Sequence, residues 1–213
     1  MIIAVDGPAA SGKGTLARRL AEHFGLAHLD TGGLYRAAAL HALANGDPAD
    51  PVLAEAAARR VSAGDLADPR LREERVAAAS SVVAAIPGVR QALLAFQRDF
   101  AHHPPGGAKG AVLDGRDIGT VICPDADAKL FVTASLEARA SRRFKELRES
   151  GAAAIYERVL QDMKDRDARD SQRRAAPLLP ADDAFVLDTT ALDVDRAFAE
   201  ALAFIGRKLA GKA

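Results

Sequence analysis

The chain has 213 residues, 49% of them hydrophobic and 27% charged, which suits one sizeable core with an appendage and argues against disorder. Its 29 Lys and Arg balance 29 Asp and Glu, so no global positive field exists to hold nucleic acid or an anionic membrane, and any anion site must be local. With a single cysteine, Cys123, no intrachain disulfide can form. The residues before the first glycine-rich loop are too few for a signal peptide, no apolar stretch reaches bilayer length, and the tail Gly211-Lys212-Ala213 carries no prenylation signal. A soluble, cytoplasmic protein with neither nucleic acid nor membrane as partner is expected.

The first apolar run, Ile2-Ile3-Ala4-Val5, reads as a strand and runs directly into Gly7-Pro8-Ala9-Ala10-Ser11-Gly12-Lys13-Gly14-Thr15, with helix-like residues from Leu16 to Ala21 behind it. Strand, glycine-rich loop with lysine, and helix in that order mark a phosphate-binding P-loop. Glycines let consecutive backbone N–H groups curl around a polyphosphate, Lys13 adds a mobile cation, and the helix start adds its positive dipole end. The strict pattern has Ser or Thr directly after the lysine; here Gly14 intervenes and the hydroxyl comes at Thr15. Gly7 through Thr15 is therefore the expected nucleoside triphosphate site.

Short apolar runs at Ala27-Leu29, Ala111-Leu113, Lys129-Val132 and Ala184-Leu187 add four strands, and helical periods alternate with them. That alternation predicts a five-stranded parallel sheet with helices on both faces. The first three strands each end at a polar cluster: Asp6 with the P-loop, then Asp30-Thr31-Gly32-Gly33-Leu34-Tyr35-Arg36, then Asp114-Gly115-Arg116-Asp117. Ligands of open α/β sheets bind beyond the carboxyl ends of the strands, so the three clusters are expected to share one crevice.

Between Leu34 and Phe100 the chain reads as helices broken at Asp47-Pro48, Asp68-Pro69 and Pro87-Gly88, a helical cap. After the fourth strand come Leu136 to Glu149, a break at Gly151, and a second helix over about 155–174. These form an expected α-hairpin lid, with Ile155, Val159 and Met163 on one face and Arg166, Asp170 and Arg173 on another. His102 to Gly107 reads as a surface loop.

Arginines mark the kind of P-loop protein. Arg36, Arg90, Arg116, Arg139, Arg142, Arg143, Arg166, Arg169 and Arg173 fall in or near the crevice and lid, where guanidinium forks suit phosphate oxygens; a solvated charged face is the alternative, strongest for Arg142, Arg143 and Arg169. Phosphoryl transfer needs alignment and charge neutralisation more than covalent help. A nucleoside monophosphate acceptor, with its second pKa near ~6, is already largely dianionic at neutral pH, so no general base and no His–carboxylate pair is required. Cys123 reads as a buried small hydrophobe and His102 and His103 as surface residues, while His23, His28 and His41 show no evident partners.

The set Gly12-Lys13-Gly14-Thr15, Asp30-Thr31-Gly32-Gly33-Leu34-Tyr35-Arg36, Asp114-Gly115-Arg116-Asp117-Ile118-Gly119-Thr120 and Arg166-Asp167-Ala168-Arg169-Asp170 resembles the bacterial cytidylate kinases over nearly the whole chain. The Gly-Lys-Gly-Thr form is common to nucleoside monophosphate kinases, whereas the Asp-Gly-Arg-Asp-Ile-Gly-Thr segment is far more specific. The resemblance implies a single-domain P-loop kinase fold in the α/β class, a monomer, and transfer of phosphate from ATP, with Mg²⁺, to CMP or dCMP. It implies that Gly12 to Thr15 hold ATP, with Thr15 toward the metal, and that Thr31, Arg36 and Arg116 hold the acceptor phosphate. Ser81, Arg90 and Asp117 match positions that read cytosine; Arg166, Asp170 and Arg173 match positions that contact the acceptor's sugar and phosphate. Lys13 with the lid arginines Arg139, Arg143 and Arg166 would stabilise the moving phosphoryl group.

Residue chemistry fits the base assignment, because cytosine's N4 donor calls for a carboxylate, which Asp117 beside Arg90 can supply. Asp170 suits a ribose hydroxyl or an ion pair with Arg166 or Arg173, and Tyr35 either lines the acceptor pocket or packs beneath it. The stretch from Val61 to Arg75 is too short and polar for the small β-sheet insert that members of this family often carry, so the resemblance does not extend to the separation of CMP, dCMP and UMP. Rival readings are another small-acceptor kinase for AMP, UMP or shikimate, against which the Asp-Gly-Arg-Asp segment argues, and a GTP-switch module. For the latter, a guanine-reading [NT]KxD is absent and the Asp30-Thr31-Gly32-Gly33 match to DxxG is too short.

Overall fold

Alternation along the strands decides the layering. In β1 (Ile2–Asp6) Ile3 and Val5 enter one core cluster and Ala4 another, and in β3 (Ala111–Gly115) Val112 and Leu113 divide the same way. The computed structural model describes residues 1–211; Lys212 and Ala213, in the tail without a prenylation signal, lie outside the described residues. With β2 (Ala27–Asp30), β4 (Ala128–Thr133) and β5 (Phe185–Asp188), the strands form one parallel sheet in the order β2-β3-β1-β4-β5. All five fall within two residues of their predicted spans.

On one face, α1 (Lys13–Phe24) and α8 (Val194–Ala210) bring Leu16, Leu20 and Ile205 against Ile3, Val5, Val112 and Leu130. On the other lie α2 (Thr31–Leu43), α3 (Pro51–Arg59), α4 (Glu74–Val83) and α5 (Pro87–His102), whose Leu34, Val76 and Leu93 join Ala4, Leu29 and Leu113. Two of the three predicted breaks, at Pro69 and Pro87, become helix starts for a physical reason, while Asp47-Pro48 lies in the turn before α3, which opens instead at Pro51. Proline lacks an N–H that the first turn would leave unpaired, and it opens α3 and α5 and the 3₁₀ turn Pro69–Arg72. Asp50 and Asp68 cap two of these, the Asp50 carboxylate accepting from the N–H groups of Val52 and Leu53. Residues 61–75 form no strand: the 3₁₀ turns Ala63–Ala67 and Pro69–Arg72 occupy them before α4 begins.

The helices α6 (Leu136–Glu149) and α7 (Tyr156–Gln172) form a hairpin with its own small core of Ala140, Val159 and Met163, joined by Phe144 and Leu147. Ile155, expected to share the apolar face, instead sits exposed at the helix cap, because extended backbone there turns its side chain out before the helical period begins. Among the described residues no single helix is long and apolar enough to cross a membrane.

Leu113, fully buried in β3, tests the core. Leu113→Ala should cost about 3 kcal/mol and lower the unfolding midpoint by about 6–12 °C, whereas Val52→Ala, at a site 79% exposed, should change stability by less than about 0.5 kcal/mol. Thermal unfolding of both variants checks this, and equal effects would contradict the layering.

Candidate active site

The ends of β1, β2 and β3 open into one crevice, as their polar clusters predict. The P-loop follows β1. Gly7 has φ 148°, and a Cβ there would come within 2.0 Å of the Val132 carbonyl oxygen, so only glycine lets the loop leave the strand beside β4. The helix it feeds, α1, has Gly12 at its cap with φ 89°, no side chain capping its first N–H groups and no acidic residue in its first turn. Those donors and the dipole end are thus available to an anion. Lys13 enters the crevice, while Thr15 stays exposed one turn into α1.

From β2 and α2 the crevice receives Asp30, Thr31, Tyr35 and Arg36; from the end of β3, Asp114, Arg116 and Asp117. From α4 and α5 come Ser81 and Arg90, and from α7 come Arg166 and Asp170 with Arg173 at its cap. Every residue expected to bind the acceptor therefore lines the same cavity as Lys13. Arg139 and Arg143 do not. Arg139 is buried at the root of α6, where it forks onto Asp167 at 2.7 and 3.1 Å and donates to the carbonyls of Ala134 and Ala9, the latter in the P-loop. Arg143 reaches across to Glu74 at 2.6 Å.

Six cationic side chains line the cavity against four carboxylates, so it is an anion site. Three of the carboxylates hold an arginine in place, and the fourth, Asp114, meets His28. Arg36 donates to Asp30, Arg116 Nε to Asp170 at 2.9 Å, and Arg90 to Asp117, with the Arg90 guanidinium also 5.5 Å from the Tyr35 ring centre. Thr31 Oγ1 donates to the Asp114 carbonyl at 2.7 Å, locking the end of β2 to β3. Arg173 lies just past α7 and donates from Nε to the Asp170 carbonyl at 3.2 Å.

Crowding shows in the protonation equilibria. Desolvation and then the Arg116 charge draw Lys13 down to about 7, and the same two causes draw Arg166 down to about 10. Burial alone would raise Asp170, but Arg116, Arg173 and Arg166 hold it below the usual carboxylate range.

Sequence reasoning missed four features. A His–carboxylate pair is present, since His28 Nε2 lies 2.8 Å from Asp114 Oδ2. Strand alternation puts His28 and Asp30 on one side of β2, next to Asp114 in the register Asp30↔Asp114, which was a usable signal. His41 likewise pairs with Asp65 at 3.1 Å, and His23 lies edge-on to Phe24 and Phe198. Third, Arg142 is no solvated charge: it donates to Thr189, whose hydroxyl donates to the Ser11 carbonyl, fixing the P-loop to the end of β5. The polar run Asp188-Thr189-Thr190 at a strand's carboxyl end was its signal. Fourth, Arg169 donates to Ser81 at 3.0 Å, joining α7 to α4. Cys123 is buried as expected, and burial pushes its thiol up to about 11.

A parallel sheet with a phosphate-binding loop after its central strand, facing an arginine-lined crevice, defines a P-loop kinase. The cytidylate kinase family model matches residues 3–207, and the chain belongs to that family. It is 64% identical to a cytidylate kinase from Paramagnetospirillum magneticum over 97% of this chain and 98% of that one. It is 62% identical to one from Methylocella silvestris over 96% and 94%. An uncharacterised protein of known structure from Eubacterium ventriosum shares the fold at 16% identity, with a TM-score of 0.53 over 97% of this chain and 98% of that one.

Lys13 gives a proton-linkage test. Its ammonium is depressed to about 7 in the free protein, and an arriving polyphosphate raises it, so binding takes up a proton between pH 7 and the bound-state pKa and affinity falls as pH rises through that window. Calorimetric titration of ATP at pH 8, in two buffers of different ionisation heat, should show uptake approaching one proton, lost in Lys13→Met.

Proposed function

We infer that the chain transfers the γ-phosphoryl group of ATP to CMP and dCMP, giving ADP with CDP or dCDP. The observation that carries this reading is the convergence of Arg36, Arg90, Arg116, Asp117, Asp170 and Arg173 on one cavity with Lys13. Backbone N–H groups from Gly7 to Thr15 would cradle the donor's phosphates, and Lys13 would neutralise charge where the β–γ bond breaks. Thr31, Arg36 and Arg116 would fix the acceptor phosphate in line with it. Arg166, deep in the cavity and depleted of partners, is suited to the moving phosphoryl group, its Nε being buried and unbonded. Arg139 and Arg143 reach phosphate only by exchanging Asp167 and Glu74 for phosphate oxygens, a replacement that keeps charge and fork geometry.

At the other end of the cavity, Asp117 would accept from cytosine N4, with Arg90 and Ser81 beside it and Tyr35 forming the wall. Asp170, held by Arg116 and Arg173, would accept from the ribose. Helices α2 to α5 would serve as the monophosphate-binding cap and α6–α7 as a lid that closes over both nucleotides and excludes water.

The residues also fit Mg²⁺. Such an ion needs one or two protein oxygens and takes the rest from phosphates and water. The exposed Thr15 hydroxyl supplies one, and the Asp114 carboxylate lies 3.9 Å from where a Cβ on Gly14 would stand, beside the same helix start. When bound, the ion neutralises charge on the donor phosphates. A cytoplasmic location is the reading that the lone, buried Cys123 supports, and a monomer is the one that the family resemblance implies.

Coupled ADP release measured with CMP, dCMP, UMP, AMP and shikimate tests the activity; turnover best with AMP or shikimate would overturn it. Lys13→Ala should leave the far-ultraviolet spectrum unchanged and raise the barrier by about 3 kcal/mol or more. Near-normal turnover would remove the P-loop assignment. Uracil presents a carbonyl where cytosine presents N4, so Asp117→Asn should lower kcat/KM for CMP and narrow its advantage over UMP about tenfold, a contact of this kind contributing roughly 1–3 kcal/mol. An equal loss for both acceptors would mean that Asp117 only orders Arg90.

A further inference from the structure

Asp6 closes β1 directly before the P-loop and is 5% exposed, yet it does not line the cavity. Its carboxylate faces the backbone beyond β3. Oδ1 accepts from the N–H of Ile118 and Oδ2 from the N–H of Gly119, both at 2.8 Å. Burial pushes this carboxyl up to about 7 despite both donors, a cost that an apolar residue would avoid.

The two N–H groups begin the wide helical turn Ile118–Ile122, which starts immediately after Asp117. Within it, Val121 and Ile122 donate to the Asp117 carbonyl at 2.9 and 3.1 Å. Asp117 is thus held twice: its carboxylate by Arg90, and its backbone by a turn whose free N–H groups end on Asp6. The turn lies close against the floor, where a Cβ on Gly119 would stand 3.4 Å from Asp6 Oδ2 and 3.2 Å from Lys129 Cδ.

We propose that Asp6 is the positioning residue for base recognition, fixing the Ile118–Gly119 backbone so that the Asp117 carboxylate meets the cytosine edge. This rests on the reading of Asp117 given above. An amide at position 6 keeps one acceptor but turns a donor toward the second N–H, so the turn must shift and Asp117 with it.

The test is Asp6→Asn, assayed with CMP and UMP as acceptors, together with Asp6→Asn/Asp117→Asn and with Gly119→Ala, which displaces the same turn while leaving Asp6 intact. The expected results are a rise in KM for CMP of about tenfold, a KM for ATP within about twofold of wild type, and a narrowed CMP-to-UMP ratio. In the Asp117→Asn background, Asp6→Asn should leave that ratio unmoved, because the carboxylate it positions is gone. Gly119→Ala should narrow the ratio in the same direction. A merely structural Asp6 would lower the unfolding midpoint and depress turnover of both acceptors equally, and an unchanged ratio in whichever of Asp6→Asn and Gly119→Ala folds overturns the proposal. A wild-type protein with no preference for CMP would overturn the reading of Asp117 itself, and this inference with it.

Discussion

Holding six cations around one small cavity is the constraint on which the rest of this structure depends. Burial and, after it, the neighbouring Arg116 charge disfavour cations there, and the depressed ammonium of Lys13 and guanidinium of Arg166 register both. The fold answers with carboxylates placed at the ends of strands and on α7: Asp30, Asp114, Asp117 and Asp170 each neutralise or orient a neighbour. They leave an excess of positive charge, so the free site is satisfied enough to fold and unsatisfied enough to attract phosphate. Two buried guanidinium nitrogens, Arg166 Nε and Arg173 Nη2, lack a hydrogen-bond acceptor, although Arg173 Nη2 stands 3.8 Å from Asp170 Oδ1 as an ion pair.

The same pairs connect the parts of the molecule. Arg116 to Asp170 joins the sheet to α7, Arg169 to Ser81 joins α7 to α4, and Arg143 to Glu74 joins α6 to α4. All three are side-chain contacts, and the last is largely exposed, where an ion pair contributes little. The hairpin's root carries two further attachments. Arg139 and Arg142 are fixed to the Ala9 carbonyl and to Thr189, which itself is bonded to the Ser11 carbonyl. Arg116 to Asp170 and Arg169 to Ser81 fall at the same end of the hairpin as Arg139 to Asp167, so the root of α6–α7 is tied at once to the sheet, the P-loop and α4.

Legibility followed the physics of each feature. The sheet was readable because short apolar runs of the right length alternate with helical periods, and the crevice because polar clusters after Val5, Leu29 and Leu113 can only gather at the carboxyl edge of a parallel sheet. The cavity-lining arginines were readable through motif spacing. What escaped were partners fixed by three-dimensional approach. Nothing local in the sequence ties Arg142 to Thr189, 47 residues on, or Asp6 to Ile118, 112 residues on. Arg139 and Arg143 show the same limit from the other side: chemistry marked them as phosphate ligands, and the fold gives them carboxylates.

On the proposed reading, those carboxylates would help a site this basic to release its product. Asp167 and Glu74 give Arg139 and Arg143 an anionic partner that a phosphate could replace, so binding would exchange one ion pair for another. Arg166, with no such partner at its Nε, has the larger gain on ligand arrival. On the proposed reading the cations would divide into Arg139 and Arg143, which lie outside the cavity with carboxylate partners on α7 and α4, and Arg166, which lines it without one at its Nε.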